Sequence, residues 1–468
     1  MTNNGGVHTP TYDRADVSPG ILHFGVGNFH RSHQAAYLDR LLRQGQASDW
    51  GIIGVGLLPR DAQLGEILHA QDFTYTLVEL GGDGRRTATR ISSIIDFVHA
   101  PAEPERVREH LVSPEIRIVS LTITEGGYNT SDVTGEFDTS NPDILADVGA
   151  QHPRTVFGIL AEGLHLRRGK GLAPFTVVSC DNVPGNGGVI RRALVAFARL
   201  AYDDEFADWI DASVSFPDSM VDRITPVTTD AERALVRDDF GIDDAWPVVC
   251  EPFTQWVLED DFTLGRPPWE DAGVQLVEDV APYELMKIRL LNGSHQAIAH
   301  AGILRGHTYV HEAMADAEIV GLVRRYMVGE AAHTLHPVPG IDLTQYMDQL
   351  LERFANPNIR DTLTRLATDA SDRLPKFLVP VATQLSQAGE PAPASASVLA
   401  AWAVRSGRDL HAGRTLNDRQ AERLEAALRG TDADPAGFLA NSDWFDNLID
   451  DPRFTVDFRH AHQEYSHV

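Results

Sequence analysis

Ile21-Leu22-His23-Phe24-Gly25-Val26-Gly27-Asn28-Phe29-His30-Arg31, followed by Gln34-Ala35-Ala36-Tyr37-Leu38-Asp39-Arg40-Leu41-Leu42, decides the fold of this chain. The first four residues are an extended apolar run, the glycines break it, and the second stretch has the apolar spacing of an amphipathic helix. A second apolar run, Trp50 to Val55, begins shortly after that helix and closes a β-α-β unit, which implies parallel pairing. Further β-branched runs at Ile116–Thr124 and Pro174–Ser179 continue the pattern, so the first part of the chain reads as α/β. From about Pro282 the periodicity turns helical, as in Tyr283 to Gly302 and Asp418 to Gly430. The expected architecture is therefore a Rossmann-type N-terminal domain over 1–281 and a mainly α-helical domain over 282–468.

Composition narrows the function classes. At 468 residues the chain is long enough for two domains, and 43% hydrophobic with 23% charged residues is ordinary globular composition. A formal net charge of -27 argues against a nucleic-acid footprint, which needs clustered Lys and Arg. The N-terminus is polar and there is no apolar run of about 18 residues, so neither a membrane span nor a signal peptide is expected and the cytoplasm is the expected compartment. Two cysteines, Cys180 and Cys250, lack the spacing of a disulfide framework or a zinc site, and no metal is expected.

Gly25, Gly27, Asn28, Phe29 and Arg31 stand where a dinucleotide fingerprint belongs, after the first strand and before a helix. The first glycine permits the tight turn, and the second lets backbone N–H groups approach a pyrophosphate. His30 replaces the third glycine; a plain strand-to-helix turn is the bland alternative. Asp61, beyond the second strand, is placed to accept from the adenosine ribose, which favours NAD, while the adjacent Arg60 is placed to accept a 2′-phosphate.

The segment from Tyr283 to His295 carries the chemistry. At 100° per residue Glu284, Lys287, Asn292 and His295 fall within an arc of roughly 140°, interleaved with Ile288 and Leu291. That pattern suits a partly buried pocket wall. A desolvated lysine loses its proton more readily and can act as a general base. The Asn292 amide can donate to an alkoxide, and His295 can hold a neighbouring hydroxyl. Helix bridging is the alternative.

Six stretches then resemble the polyol-specific long-chain dehydrogenases, the mannitol dehydrogenase family: GVGNFHRSHQ at 25–34, SLTITEGGYN at 120–129, SCDNVPGNG at 179–187, MVDRITP at 220–226, KIRLLNGSH at 287–295, and the run from Arg353 to Pro380. The resemblance implies NAD and a polyol meeting between two domains, without metal. It implies interconversion of D-mannitol and D-fructose, with D-arabinitol and D-xylulose as a further pair. Lys287 matches the family's catalytic lysine, and Asn292 and Asn182 match the amides flanking the reacting oxygen. Asn186 follows closely as a second candidate amide and is placed with the cofactor contacts. Asp222, His295, Arg365 and Arg373 match positions lining the polyol site. Arg373 stands where a lysine is common, and Glu125 is a further polar residue at a strand end. A hexuronate reductase of the same family (fructuronate or tagaturonate) and a non-catalytic NAD-binding sensor are the rivals. A monomer or weak oligomer is expected.

Overall fold

The computed structural model describes residues 4–130, 136–429, 431 and 433–468. The chain forms two compact units, Met1–Ala281 and Pro282–Val468.

In the first unit, five parallel strands form the central sheet: β1 (Pro19–Phe24), β2 (Gly51–Gly56), β3 (Ile94–His99), β4 (Ile118–Leu121) and β5 (Thr176–Ser179). Their order is β3-β2-β1-β4-β5, so the chain starts at the centre, winds outward one way and then reverses. This is the Rossmann order, with its switch point between β1 and β4. Both faces are covered, which explains continuous apolar runs instead of alternation. Leu22 and Phe24 of β1 pack into one core and Ile21 into the other, as period-two side chains must.

The helix that follows β1 is two helices, α1 (Asn28–Ser32) and α2 (Gln34–Arg43), separated at His33. The helix α3 (Asp61–Ala70) follows β2. Two smaller sheets lie outside the sequence expectation. One orders Asn4–His8, Arg86–Ile91, Tyr75–Leu80 and Val248–Cys250; the other is β6 (Ser219–Asp222) antiparallel to Gln255–Glu259, which pairs with Gln275–Val277.

The second unit is helical. Its axis is α5 (Gly293–Leu304), preceded by α4 (Ala281–Met286) and a π-helical segment, Lys287–Asn292. The continuous α-helix expected from Tyr283 to Gly302 is thus interrupted in register. Every residue of α5 except Ile303 is buried, and its small side chains permit this. A Cβ on Gly302 would lie 2.7 Å from Leu363 Cδ1. Packed on α5 are α6 (Ala317–Gly329), α7 (Leu363–Leu366), α8 (Ala370–Phe377) and α9 (Pro393–His411).

Glu330 ties α6 to the start of α9. Its buried carboxylate accepts from Ala394 N at 2.5 Å, Ser395 N at 2.9 Å and Ser395 Oγ at 2.6 Å. Burial outweighs these donors and pushes its carboxyl up to about 7. A raised folded value means the native state binds more protons than the unfolded chain between the ordinary glutamate range and 7. The stabilisation is full below that range and is lost as pH rises through 7. Glu330→Gln removes the titration while keeping an acceptor oxygen. Denaturant titrations from pH 4.5 to 8 are expected to show wild type losing ground to Glu330→Gln as pH rises; a constant difference would assign the titration elsewhere.

Candidate active site

The turn from β1 to α1 is built by contacts across the switch point. Gly25 has φ +92°, and a Cβ there would lie 2.1 Å from Thr122 O, so glycine is required on both counts. Gly25 N–H donates to Val55 O at 3.0 Å, and Thr122 Oγ1 donates to Gly25 O at 2.6 Å. Because the Thr122 hydroxyl proton is spent there, His23 Nε2–H donates to Thr122 Oγ1 at 2.9 Å, and Ser120 Oγ donates to His23 Nδ1 at 2.8 Å. Burial pushes the His23 imidazole down to about 3, so this chain of hydrogen bonds stays neutral and fixed. At Gly27 the space is open: the nearest atom to an added Cβ is Gly25 O, 3.9 Å away. Such an open glycine face beside a rigid turn suits the close approach of a pyrophosphate.

Three residues expected at the cofactor turn inward instead. Asn28 Nδ2 donates to Pro226 O and Thr228 Oγ1, both at 3.1 Å, and its Oδ1 accepts from Arg31 at 2.7 Å. Arg31 is fully buried, donates to Trp246 O and lies over the Tyr75 ring. Asn186 is fully buried too: its Nδ2 donates to Asp181 O and Ser219 O, and its Oδ1 accepts from Ser219 N. These side chains are committed to oxygens and an N–H of neighbouring loops and strands, and so they brace the loops. Phe29 is half-buried and stacks on His33 with ring centres 4.9 Å apart.

Asp61 sits in the first turn of α3. Its Oδ2 accepts from Leu57 N at 3.0 Å and Leu58 N at 2.9 Å, while Oδ1 has no partner among the described residues. One oxygen orients the carboxylate and leaves the other able to accept a hydrogen bond. Arg60 is exposed and makes no ion pair among the described residues.

Asp181 was not singled out in the sequence, yet it organises the strand ends. It accepts from Ile123 N and Thr124 N at 2.9 Å each and from the Tyr128 hydroxyl at 2.9 Å. Burial keeps that phenol protonated, hence a donor. Thr124 is thereby held at φ +63°, a strained conformation for a β-branched residue. An acidic residue directly after a buried strand, in Ser179-Cys180-Asp181-Asn182, was the available signal. Asn182 itself is exposed beyond β5. Asp222 is buried at the end of β6, and Asn186 ties its strand to the loop carrying Asn182. Arg223 does not serve Asp222: its guanidinium pairs with Glu79 and donates to Ser32 O and Glu251 O. The Glu125 side chain lies outside the described residues.

In the second unit, Lys287 and Asn292 are the first and last residues of the π-helical segment. Lys287 is 8% exposed. Asn292 Oδ1 is buried and has no hydrogen-bond partner among the described residues. A side-chain amide oxygen left without a partner there is costly unless something else meets it. His295, one turn on, is buried with its ring 4.8 Å from that of Phe354. Arg365 on α7 forms a two-pronged ion pair with Asp361. Arg373 on α8 donates to Arg365 O at 3.2 Å and Leu366 O at 3.0 Å; Gln296 of α5 also donates to Leu366 O, at 3.1 Å. The structure therefore fastens the two arginines to each other and to the helix carrying His295. Among the described residues no group of three or more His, Cys, Asp or Glu side chains is arranged to hold a metal ion, and no helix is long and apolar enough to cross a membrane.

Two family models account for nearly all of the chain: the mannitol dehydrogenase Rossmann domain over residues 19–271 and the mannitol dehydrogenase C-terminal domain over 279–466. The chain belongs to the mannitol dehydrogenase family. Among its relatives, mannitol 2-dehydrogenase of Cereibacter sphaeroides is 42% identical over 458 residues, covering 97% of this chain and 95% of the relative. Mannitol dehydrogenase 2 of Saccharomyces cerevisiae is 48% identical over 372 residues, 79% of this chain and 74% of the relative. The crystallised Pseudomonas fluorescens mannitol 2-dehydrogenase, a ternary complex with NAD and D-mannitol, superposes with TM-score 0.85 at 45% identity, covering 98% of this chain and 94% of that one. A D-sorbitol dehydrogenase in substrate-free form superposes with TM-score 0.89 at 36% identity, over 98% and 95%. Within this mannitol dehydrogenase fold, the π-helical register had no signal in the sequence, because the helical periodicity on either side is ordinary.

Proposed function

We propose that this chain is an NAD-dependent polyol dehydrogenase that interconverts D-mannitol and D-fructose, with D-arabinitol and D-xylulose as a second pair. The observation carrying the reading is a nearly buried lysine and an amide whose buried Oδ1 has no partner among the described residues, at the two ends of one π-helical segment, in a member of the mannitol dehydrogenase family. Mannitol 2-dehydrogenases among the relatives, and the solved complex of one of them with NAD and D-mannitol, support the choice of substrate and cofactor.

Lys287 Nζ takes the proton of the reacting hydroxyl in oxidation and returns it in reduction. The amide of Asn292, joined by that of Asn182, donates to the oxygen as negative charge develops on it. Asp222, His295, Arg365 and Arg373 hold the other hydroxyls; arginine, always protonated, can only donate. The N–H groups of Asn28 and Phe29, at the start of α1, receive the pyrophosphate beside the turn of Gly25 and the open face of Gly27, and Asp61 Oδ1 accepts from the ribose. Bound NAD supplies the acceptor for the hydride leaving the carbinol carbon. No step requires a metal.

A panel of D-mannitol, D-arabinitol, D-sorbitol, fructuronate and tagaturonate, assayed with NAD or NADH, tests the reading. D-Sorbitol belongs in it because of the likeness to a D-sorbitol dehydrogenase, and because its oxidation at C2 also yields D-fructose. The highest kcat/KM is expected with D-mannitol. Turnover confined to the uronates, or NAD binding with no turnover, would replace the reading.

Cofactor choice follows from one carboxylate. The charge on Asp61 repels a 2′-phosphate, whereas exposed Arg60 attracts it. NAD is expected to win, because Asp61 is fixed by two backbone donors and Arg60 is tethered by nothing among the described residues. Asp61→Asn keeps an acceptor for Leu57 and Leu58 but loses the charge. It should move the NAD-to-NADP ratio of kcat/KM toward NADP by about tenfold, the equivalent of about 1.4 kcal/mol. An unmoved ratio would clear Asp61 of the role.

A further inference from the structure

Between α4 and α5 the backbone changes its hydrogen-bond register at one place. Gly293 N–H donates to Ile288 O, five residues back, where an α-helix would use Arg289 O. The Arg289 carbonyl accepts instead from the hydroxyl of Tyr326 on α6, 2.9 Å away. That hydroxyl also lies 3.4 Å from Phe377 O on α8. Tyr326 is fully buried, and burial raises its phenol so that it remains a donor. Gly293 makes room for it: a Cβ there would lie 2.1 Å from Tyr326 Oη and 2.7 Å from Cζ.

The register has a geometric consequence. Lys287 and Asn292 are five residues apart, which on an α-helix separates them by about 140°. A turn closed by a bond over five residues brings such a pair round to the same side. We propose that Tyr326 is a positioning residue: its hydroxyl on Arg289 O, seated against Gly293, holds the π-helical register that presents Lys287 and Asn292 together to one substrate oxygen. The inference rests on the reading of those two residues as base and amide. It adds a residue whose hydroxyl bonds to backbone carbonyls, Arg289 O and Phe377 O.

Tyr326→Phe keeps the ring in its packing and removes only the hydroxyl. Polyol-oxidation kcat is expected to fall about tenfold or more, as small misplacements of reacting groups do, with KM for D-mannitol and NADH affinity little changed. Asn292→Ala made in the Tyr326→Phe background should cost less than in wild type, because the amide is already misplaced. A general loss of stability would not produce that coupling, so additive effects would overturn the role. So would wild-type kcat in Tyr326→Phe when Lys287→Ala is inactive. Full turnover in Lys287→Ala would instead overturn the underlying reading, and the inference with it. Should Tyr326→Phe fail to fold, Gly293→Ala displaces the same ring and should show the same kcat-specific loss. Failure of both to fold would assign the contact to stability alone.

Discussion

Lys287→Ala is expected to fold, to bind NADH as wild type does, and to lose D-mannitol oxidation by about 10²-fold or more, the low end for removing a general base. Hydride leaves a secondary carbinol readily only as its hydroxyl proton departs, so an amine with a free lone pair must sit within hydrogen-bond reach. Lys287 is 8% exposed, so bulk water is poorly placed to substitute for it. In wild type, oxidation is expected to rise with pH, because the base must be unprotonated, and reduction to fall, because the same nitrogen must then donate. Both arms should flatten in Lys287→Ala. Steady-state rates in the two directions from pH 6 to 10, with melting curves alongside, make the check. A folded variant with near-normal turnover and an unchanged pH profile would end the mechanism.

Asn292→Ala is expected to separate activity from stability. Its Oδ1 is buried with no partner among the described residues, and such an atom costs about 1–3 kcal/mol of stability in the free protein. Truncation removes that cost, so Tm should hold or rise. Activity should move the other way. Losing a donor aimed at a developing oxyanion raises the barrier by about 3 kcal/mol, on the order of 10²-fold in kcat. The pairing of a stable protein with a slow one marks a residue retained for function. If Asn292→Ala instead melted well below wild type at unchanged kcat, its amide would be a structural group.

Local chemistry is the part of this protein that its sequence alone determined. The apolar run Ile21–Phe24 has nowhere to go but a buried strand, Gly25 can take φ +92° where other residues are strained, and the uncharged, Gly- and Ala-rich stretch 293–302 suits an enclosed helix. Those constraints act within a few residues, so periodicity and residue type reveal them, and with them the α/β first unit, the helical second unit and the candidacy of Lys287 and Asn292. Tertiary structure decided where polar side chains turn. Asn28 and Arg31 sit in the fingerprint, but their partners include Pro226 O, Thr228 Oγ1 and Trp246 O, about 200 residues away in sequence, and their donors are committed to those oxygens before any ligand. Asn186 is claimed likewise by Ser219. The π-helical register was decided the same way, by the hydroxyl of Tyr326, 37 residues from the carbonyl it captures. A helix takes its phase from its own periodicity until a neighbouring side chain offers one of its carbonyls a better donor, and that offer exists only after the helices have packed.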